Sequence, residues 1–137
     1  MRERSLLERL RDRNADADRS PIVNTALLAD SVLGHLRNMM NSRHGIASTV
    51  PDYGIPDLAD LVHSFPEAIA LMRREIRSSI EKYEPRLRNV SISHVPDVDD
   101  PFHLNFDIRA ELVTDRDKMT VAFRTTLDAA GRAAVRR

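Results

Sequence analysis

Helical periodicity over the first two thirds of the chain and β alternation over the last third predict an α+β fold. In that fold, N-terminal helices pack on a C-terminal three-stranded antiparallel β-meander. Ile22, Ala26, Ala29, Leu33, Leu36 and Met40 recur at spacings of 4, 3, 4, 3 and 4, one apolar stripe along a helix. Ile69, Met72, Ile76, Ile80 and Tyr83 draw a second stripe at 3, 4, 4 and 3. Phe102, Leu104, Phe106, Ile108, Ala110 and Leu112 alternate with His103, Asn105, Asp107, Arg109 and Glu111, as in a strand with one buried and one wet face. The period changes at Tyr83-Glu84-Pro85-Arg86-Leu87. Proline has no N–H and clashes with the preceding helical turn, so Pro85 ends the second helix and pushes Glu84 into extended geometry.

The elements follow in order. Residues 1–19 form an arm and linker, with Leu6, Leu7 and Leu10 at helical spacing; residues 20–127 form one α+β domain; residues 128–137 form a basic tail. Ser20-Pro21 starts the first long helix, a capping hydroxyl followed by proline at the first helical position. Gly45, after Arg43-His44, offers a left-handed stop. Pro51, Gly54 and Pro56 make residues 46–57 an ordered loop, and a short helical turn follows over 58–62. Ser64-Phe65-Pro66-Glu67 matches a capping box and opens the second long helix. Val90 and Ile92 mark a first strand over 87–95. Met119, Val121, Phe123 and Leu127 mark a third over 118–127, after the polar turn at 114–117. The alanine-rich tail reads as a frayed helix or as disordered.

At 137 residues the chain fits one domain able to bury a core. Its 21 basic and 21 acidic residues cancel, which argues against general electrostatic binding to nucleic acid. The lack of cysteine excludes disulfides, thiolate metal sites and a cysteine nucleophile, and fits a cytoplasmic protein. Residues 1–10 lack the apolar stretch of a signal peptide, and no segment has the length of a membrane helix, so a soluble protein without membrane insertion is expected. Asp97-Val98-Asp99-Asp100 invites a calcium reading. Counted from Asp97, however, the glycine and glutamate positions of an EF-hand loop hold Phe102 and Ile108. The five histidines show no metal-helix spacing; His94 and His103 are expected to face one another across the first hairpin. No metal or cofactor is expected.

Taken in order, the motifs resemble the TssE family, lysozyme-like baseplate wedge subunits of bacterial type VI secretion systems related to a tailed-phage baseplate protein. Leu6-Leu7-Glu8-Arg9-Leu10, Asn41-Ser42-Arg43-His44-Gly45, Pro51-Asp52-Tyr53-Gly54-Ile55-Pro56-Asp57 and Tyr83-Glu84-Pro85-Arg86-Leu87 carry the resemblance, which spans residues 5–127. It implies a structural protein in a cytoplasmic baseplate docked at the inner membrane. The implied partners are the wedge proteins TssF and TssG, the TssB/TssC sheath, whose polymerisation it starts, and TssK. It also implies that Glu84, Pro85 and Arg86 are the family's partner-binding corner. Met39-Met40-Asn41-Ser42-Arg43 departs mildly from relatives, which often carry leucines and Asn-Thr-Arg there.

Local alternatives stand beside these readings. Glu84 and Arg86 fit a stabilising helix-end pair or a partner site, and an exposed pair contributes only about 0–1 kcal/mol. Tyr53 and Gly54 fit an interface or simple loop packing. Leu6, Leu7 and Leu10 fit docking on a partner or on their own domain. Thr120, Ala122 and Arg124 mark the third strand as the polar sheet edge expected to accept a sheath strand. The "lysozyme-like" label raises a peptidoglycan-cleaving enzyme as an alternative. Glycoside hydrolysis needs two carboxyl groups about 5–9.5 Å apart, one of them kept protonated. Arg86 beside Glu84 favours the charged form, and the sequence reveals no second carboxylate opposite it. With no Trp, two Tyr and four Phe, aromatic sugar platforms are scarce. A general helical adaptor is the remaining class.

Overall fold

A computed structural model describes residues 5–11, 24–46, 48–57, 66–100 and 102–137. The helices are α1 (Leu6–Arg11), α2 (Thr25–Met40) and α3 (Glu67–Tyr83). Four strands follow: β1 (Leu87–Val95), β2 (Leu104–Val113), β3 (Lys118–Leu127) and β4 (Ala133–Arg136). They form one sheet in the order β1-β2-β3-β4, with every neighbouring pair antiparallel.

The expected three-stranded meander is therefore corrected to a four-stranded sheet, and the last strand lies in the segment read as a frayed or disordered tail. The reversal is local. Gly131 adopts φ +77°, and the Asp128 carboxylate accepts from the Arg132 N–H at 2.8 Å. Ala133 and Val135 then point into the core while Ala134 and Arg136 point out. Alanine hides that alternation, because a buried and an exposed alanine look the same in sequence.

The end of α2 holds this strand in place. The Asn41 side chain donates to the Ala133 carbonyl at 3.0 Å and accepts from the Ala133 N–H at 2.9 Å, doing the work of a neighbouring strand. Arg43 Nη2 donates to the Gly131 carbonyl at 2.5 Å and Arg37 Nη2 to the Val135 carbonyl at 3.3 Å.

Both long helices lie on one face of the sheet, α2 against β4 and α3 against β1. Met72, Ile76 and Ile80 meet Phe106, Ile108, Leu112 and Phe123 in a core that excludes water. Fully burying a side chain of this kind contributes about 1.5–3 kcal/mol. Of the expected α2 stripe, Ala29, Leu36 and Met40 are buried, Leu33 is half-buried and Ala26 is exposed; Leu28, Val32 and Met39 widen the buried face. Its cap is Asn24, whose carboxamide accepts from the N–H groups of Ala26 and Leu27 at 3.1 and 3.3 Å. Ser20-Pro21, Ser64-Phe65 and the turn over 58–62 lie outside the described residues.

A bulge between Arg88 and Ser91, with Asn89 at φ +52°, resets the alternation of β1 so that Leu87 and Val90 both face the core. Phe102 does not join the buried face of β2. It is exposed in the turn before the strand. His94 stands opposite Phe106, not His103, because the β1–β2 register places it there; His103 bonds Asp100 at 2.6 Å.

Asn41→Ala removes both bonds to Ala133 together with the Asn41 donation to the Arg37 carbonyl. At about 1 kcal/mol per bond, the variant is expected to lose about 1–3 kcal/mol in urea unfolding. Amide exchange should accelerate at residues 124–127 and 133–136 well before it does in β1. Uniform exchange across the sheet would show that Asn41 does not hold β4.

Candidate functional site

The corner begins where α3 runs out of partners. The Glu84 N–H makes the last helical bond, to the Ile80 carbonyl at 2.9 Å, and Leu87 N–H closes the turn onto the Glu84 carbonyl at 3.2 Å. Pro85 sits at the exposed apex, and the Glu84 side chain folds inward until it is 1% exposed.

Arg86 grips that carboxylate with two parallel bonds, Nε to Oε1 at 2.7 Å and Nη2 to Oε2 at 2.8 Å, and its own N–H adds a third at 3.2 Å. His35 Nδ1 reaches Oε2 at 2.7 Å. An ionised carboxylate only accepts, so Nδ1 carries the hydrogen, and Nε2 faces the Tyr53 hydroxyl at 3.4 Å. Burial alone would raise the Glu84 pKa, but the hydrogen bonds and charges of Arg86 and His35 outweigh it and hold the group down to about 2. The bond to Glu84 raises Arg86 in turn.

The remaining arm of the guanidinium, Nη1, donates to Ser31 Oγ at 2.9 Å, and Ser31 donates to Glu8 Oε2 at 2.7 Å. Glu8 belongs to a capping box at the start of α1: Ser5 N–H donates to its carboxylate at 2.8 Å, and Glu8 N–H to Ser5 Oγ at 3.4 Å. Burial pushes the Glu8 pKa up, but the bonds from Ser31 and Ser5 and the charge of Arg86 leave it lowered. A run of polar contacts thus joins α1, α2 and the corner around a cleft of about 780 Å³.

The loop after α2 closes one side of the cleft. Gly54, at φ +98°, brings its backbone so close to the Ser42 carbonyl that a Cβ there would lie 2.3 Å from the oxygen. Its carbonyl accepts from Ser79 Oγ at 2.7 Å and from His44 Nε2 at 2.9 Å. Tyr53 then stacks on His35 with ring centroids 6.3 Å apart and meets Tyr83 edge-on at 5.1 Å. The Tyr83 hydroxyl and the Lys82 ammonium both donate to Asp52, and these bonds bring the exposed carboxylate down to about 2.

The candidate residues divide into two groups. Glu84, Pro85, Arg86, Tyr53, Leu6 and Leu7 line the cleft. Leu6, Leu7 and Leu10 are 62%, 76% and 71% exposed, so α1 is tethered by Glu8 while its leucines face solvent. Thr120, Ala122 and Arg124 do not line the cleft; they lie on the outward face of β3. β4 pairs with Arg124–Leu127, which leaves Thr120 and Ala122 in the stretch without a β4 partner.

Glu8, Ser31 and His35 join the site without having been singled out. Two signals existed: Ser5-Leu6-Leu7-Glu8 fits a capping box, and Ser31 and His35 stand one turn apart within the apolar face of α2. Glu8 is also a second carboxylate lining the cleft, one that the sequence did not reveal. The Asp97 segment forms a side-chain turn in which Asp97 Oδ1 accepts from the N–H groups of Asp99 and Asp100 at 3.0 and 3.3 Å.

Residues 26–117 match the family model described as baseplate wedge protein gp25. A chain of the baseplate complex from the type VI secretion system superimposes with a TM-score of 0.62 at 17% identity, covering 77% of this chain and 98% of that one. A protein from Geobacter sulfurreducens provisionally described as a tail lysozyme superimposes with a TM-score of 0.56 at 18% identity, covering 77% and 94%. At these identities the likeness is one of fold. No curated protein matches the sequence at a significant level.

Arg86→Ala strands the buried Glu84 charge, and breaking a buried pair in this way costs about 3–5 kcal/mol. Urea unfolding should show that loss, with Arg86→Lys falling in between because it keeps the charge but not the fork; an unchanged midpoint would contradict the buried-pair account. Acid adds a second expectation. Because the folded pKa of Glu84 is depressed from 4.5 to about 2, its contribution is fully present above pH 4.5 and lost as pH falls toward 2. The loss amounts to about 3 kcal/mol at 1.36 kcal/mol per pKa unit. Glu84→Gln should flatten that part of the stability–pH curve, and an equally steep curve would mean that other groups carry it.

Proposed function

This chain belongs to the baseplate wedge protein gp25 family, a family of structural baseplate components, and we propose that it is the TssE-type subunit of a type VI secretion baseplate. In this reading the cleft between α1 and the Glu84-Pro85-Arg86 corner seats the wedge proteins TssF and TssG. TssK and the TssB/TssC sheath lie farther out in the same cytoplasmic assembly, docked at the inner membrane. No helix among the described residues is long and apolar enough to cross a membrane.

One observation carries the proposal: Leu6, Leu7 and Leu10 stand exposed on a helix whose only long-range polar anchor among the described residues is Glu8. A monomer gains nothing from holding three leucines in water on a helix beside a preorganised cleft, whereas a helical partner would bury them. Glu84 serves inside the protein. Its task in the proposed site is to fix the Arg86 fork and the exposed Pro85, not to meet the partner itself.

The sheet supplies the second contact. The outer edge of β1, and the side of β3 away from β2 over the stretch holding Thr120 and Ala122, have no strand partner among the described residues, so either accepts a strand from the sheath in this reading. Arg124 lies in the stretch that β4 already pairs.

A peptidoglycan-cleaving role is disfavoured by the chemistry of the cleft. Both carboxylates there, Glu84 and Glu8, have lowered pKa values, whereas glycoside hydrolysis requires one to be kept protonated as the acid.

Leu6→Asp combined with Leu10→Asp is expected to leave the melting temperature nearly unchanged, since both side chains are already exposed. It should abolish co-purification with TssF and TssG and, in cells, sheath growth. Normal wedge assembly by the folded double variant would remove the cleft from the proposal. Intact wedge assembly without sheath growth would place the fault at the sheet.

A further inference from the structure

The helices cover one face of the sheet, and among the described residues no element covers the other. There the register sets Arg109 of β2 opposite Ala122 of β3, and Arg124 of β3 opposite Arg136 of β4. The chain as a whole is neutral, yet Arg109, Arg124, Arg136 and Arg137 gather at a shallow depression of about 420 Å³ that contains one carboxylate, Asp107. Asp107 is taken by Arg124, whose Nε and Nη2 donate to it at 2.7 and 3.0 Å. Arg137 reaches toward Asp30 at 3.9 Å. The side chains of Arg109 and Arg136 make no hydrogen bond or ion pair among the described residues, and Arg109 acts on Asp107 through its charge alone.

Like charges directly opposite one another on neighbouring strands destabilise a sheet, and Arg124 with Arg136 is such a pair. Asp107 offsets Arg124, so Arg109 and Arg136 are the charges on this face that a ligand would neutralise. Ala122 is exposed and small, so the floor of the depression is open to approach.

We propose that this face docks an acidic helix of a protein partner, with carboxylates two helical turns apart bound by Arg109 and Arg136. The two arginines are two strands and two residues apart, about 12 Å, and two turns of a helix span about 11 Å, so the spacings match within the reach of the long arginine side chains. The bidentate Asp107–Arg124 pair shows that a carboxylate is held squarely at this spot. A nucleic acid fits less well, because the chain has no basic surplus. The inference rests on this charge arrangement and not on the wedge reading of the cleft.

The test titrates an alanine-based helical peptide with glutamate at every fourth position into the full chain, followed by amide chemical shifts. Shifts at Ala122, Thr126 and Ala134 are expected, with affinity falling as NaCl is added. Arg109→Gln and Arg136→Gln should each weaken binding by about tenfold, the loss of one charge-assisted contact. Arg136→Gln should melt at or above the parent temperature, because it removes the like-charge pair. Absence of shifts on this face, binding unchanged in both variants, or a lower melting temperature for Arg136→Gln overturns the proposal. Tighter binding of a DNA duplex at the same residues overturns the protein-partner assignment.

Discussion

A single guanidinium organises the part of this molecule where helices give way to sheet. Arg86 binds Glu84 with its fork and Ser31 of α2 with its remaining arm, and through Ser31 it reaches Glu8 of α1. His35 completes the coordination of Glu84 from the same helix as Ser31. Replacing a buried ion pair by apolar residues is often neutral or stabilising, so stability alone does not explain why this position is polar. Directionality does. An apolar plug would tolerate several orientations of α1 and of the turn, whereas five hydrogen bonds with fixed geometry admit one.

The far end of α2 solves a different problem by similar means. A four-residue strand buries too little to hold itself, since Ala133 and Val135 are its only inward side chains. Asn41 and Arg43 supply backbone-directed bonds from the helix end, and Gly131 allows Arg43 to come close: a Cβ at position 131 would lie 2.4 Å from Arg43 Nη2. α2 therefore carries polar tethers at its middle, Ser31 and His35, and at its C-terminal end, Asn41, with buried apolar residues between them. That pattern explains how a neutral chain with 42% hydrophobic residues arranges its segments without disulfides.

What the sequence disclosed depended on whether a residue type had one meaning. The β2 alternation and the α3 stripe were legible because Phe, Ile and Met on a periodic face have one common fate, and strands 87–95 and 118–127 emerged with their observed limits. β4 was not legible, because alanine marks neither face. Phe102 misled for the opposite reason: it fits the period-2 pattern although the strand begins only at Leu104. At the site, Pro85 announced the corner, but whether Glu84 would face solvent or the interior depended on Ser31 and His35, more than forty residues away in sequence. Such a decision belongs to tertiary packing and leaves only a faint local trace, two polar residues one turn apart on an apolar face.

The corner and the sheet are also mechanically continuous. β1 begins at Leu87, the residue after Arg86, and the Arg86 carbonyl accepts from the Val113 N–H at 2.9 Å, so the corner is bonded to the end of β2 as well. Close-packed interiors deform little and transmit displacement. A partner seated against α1 and Pro85 therefore acts on a short, hydrogen-bonded path into the edge strand instead of on a loop that could absorb the movement. The bulge at Asn89 interrupts β1 just beyond that path, and it is the first place along the edge where the backbone has room to yield. The few residues from Glu84 to Asn89 are thus the covalent and hydrogen-bonded link between the cleft and the sheet edge.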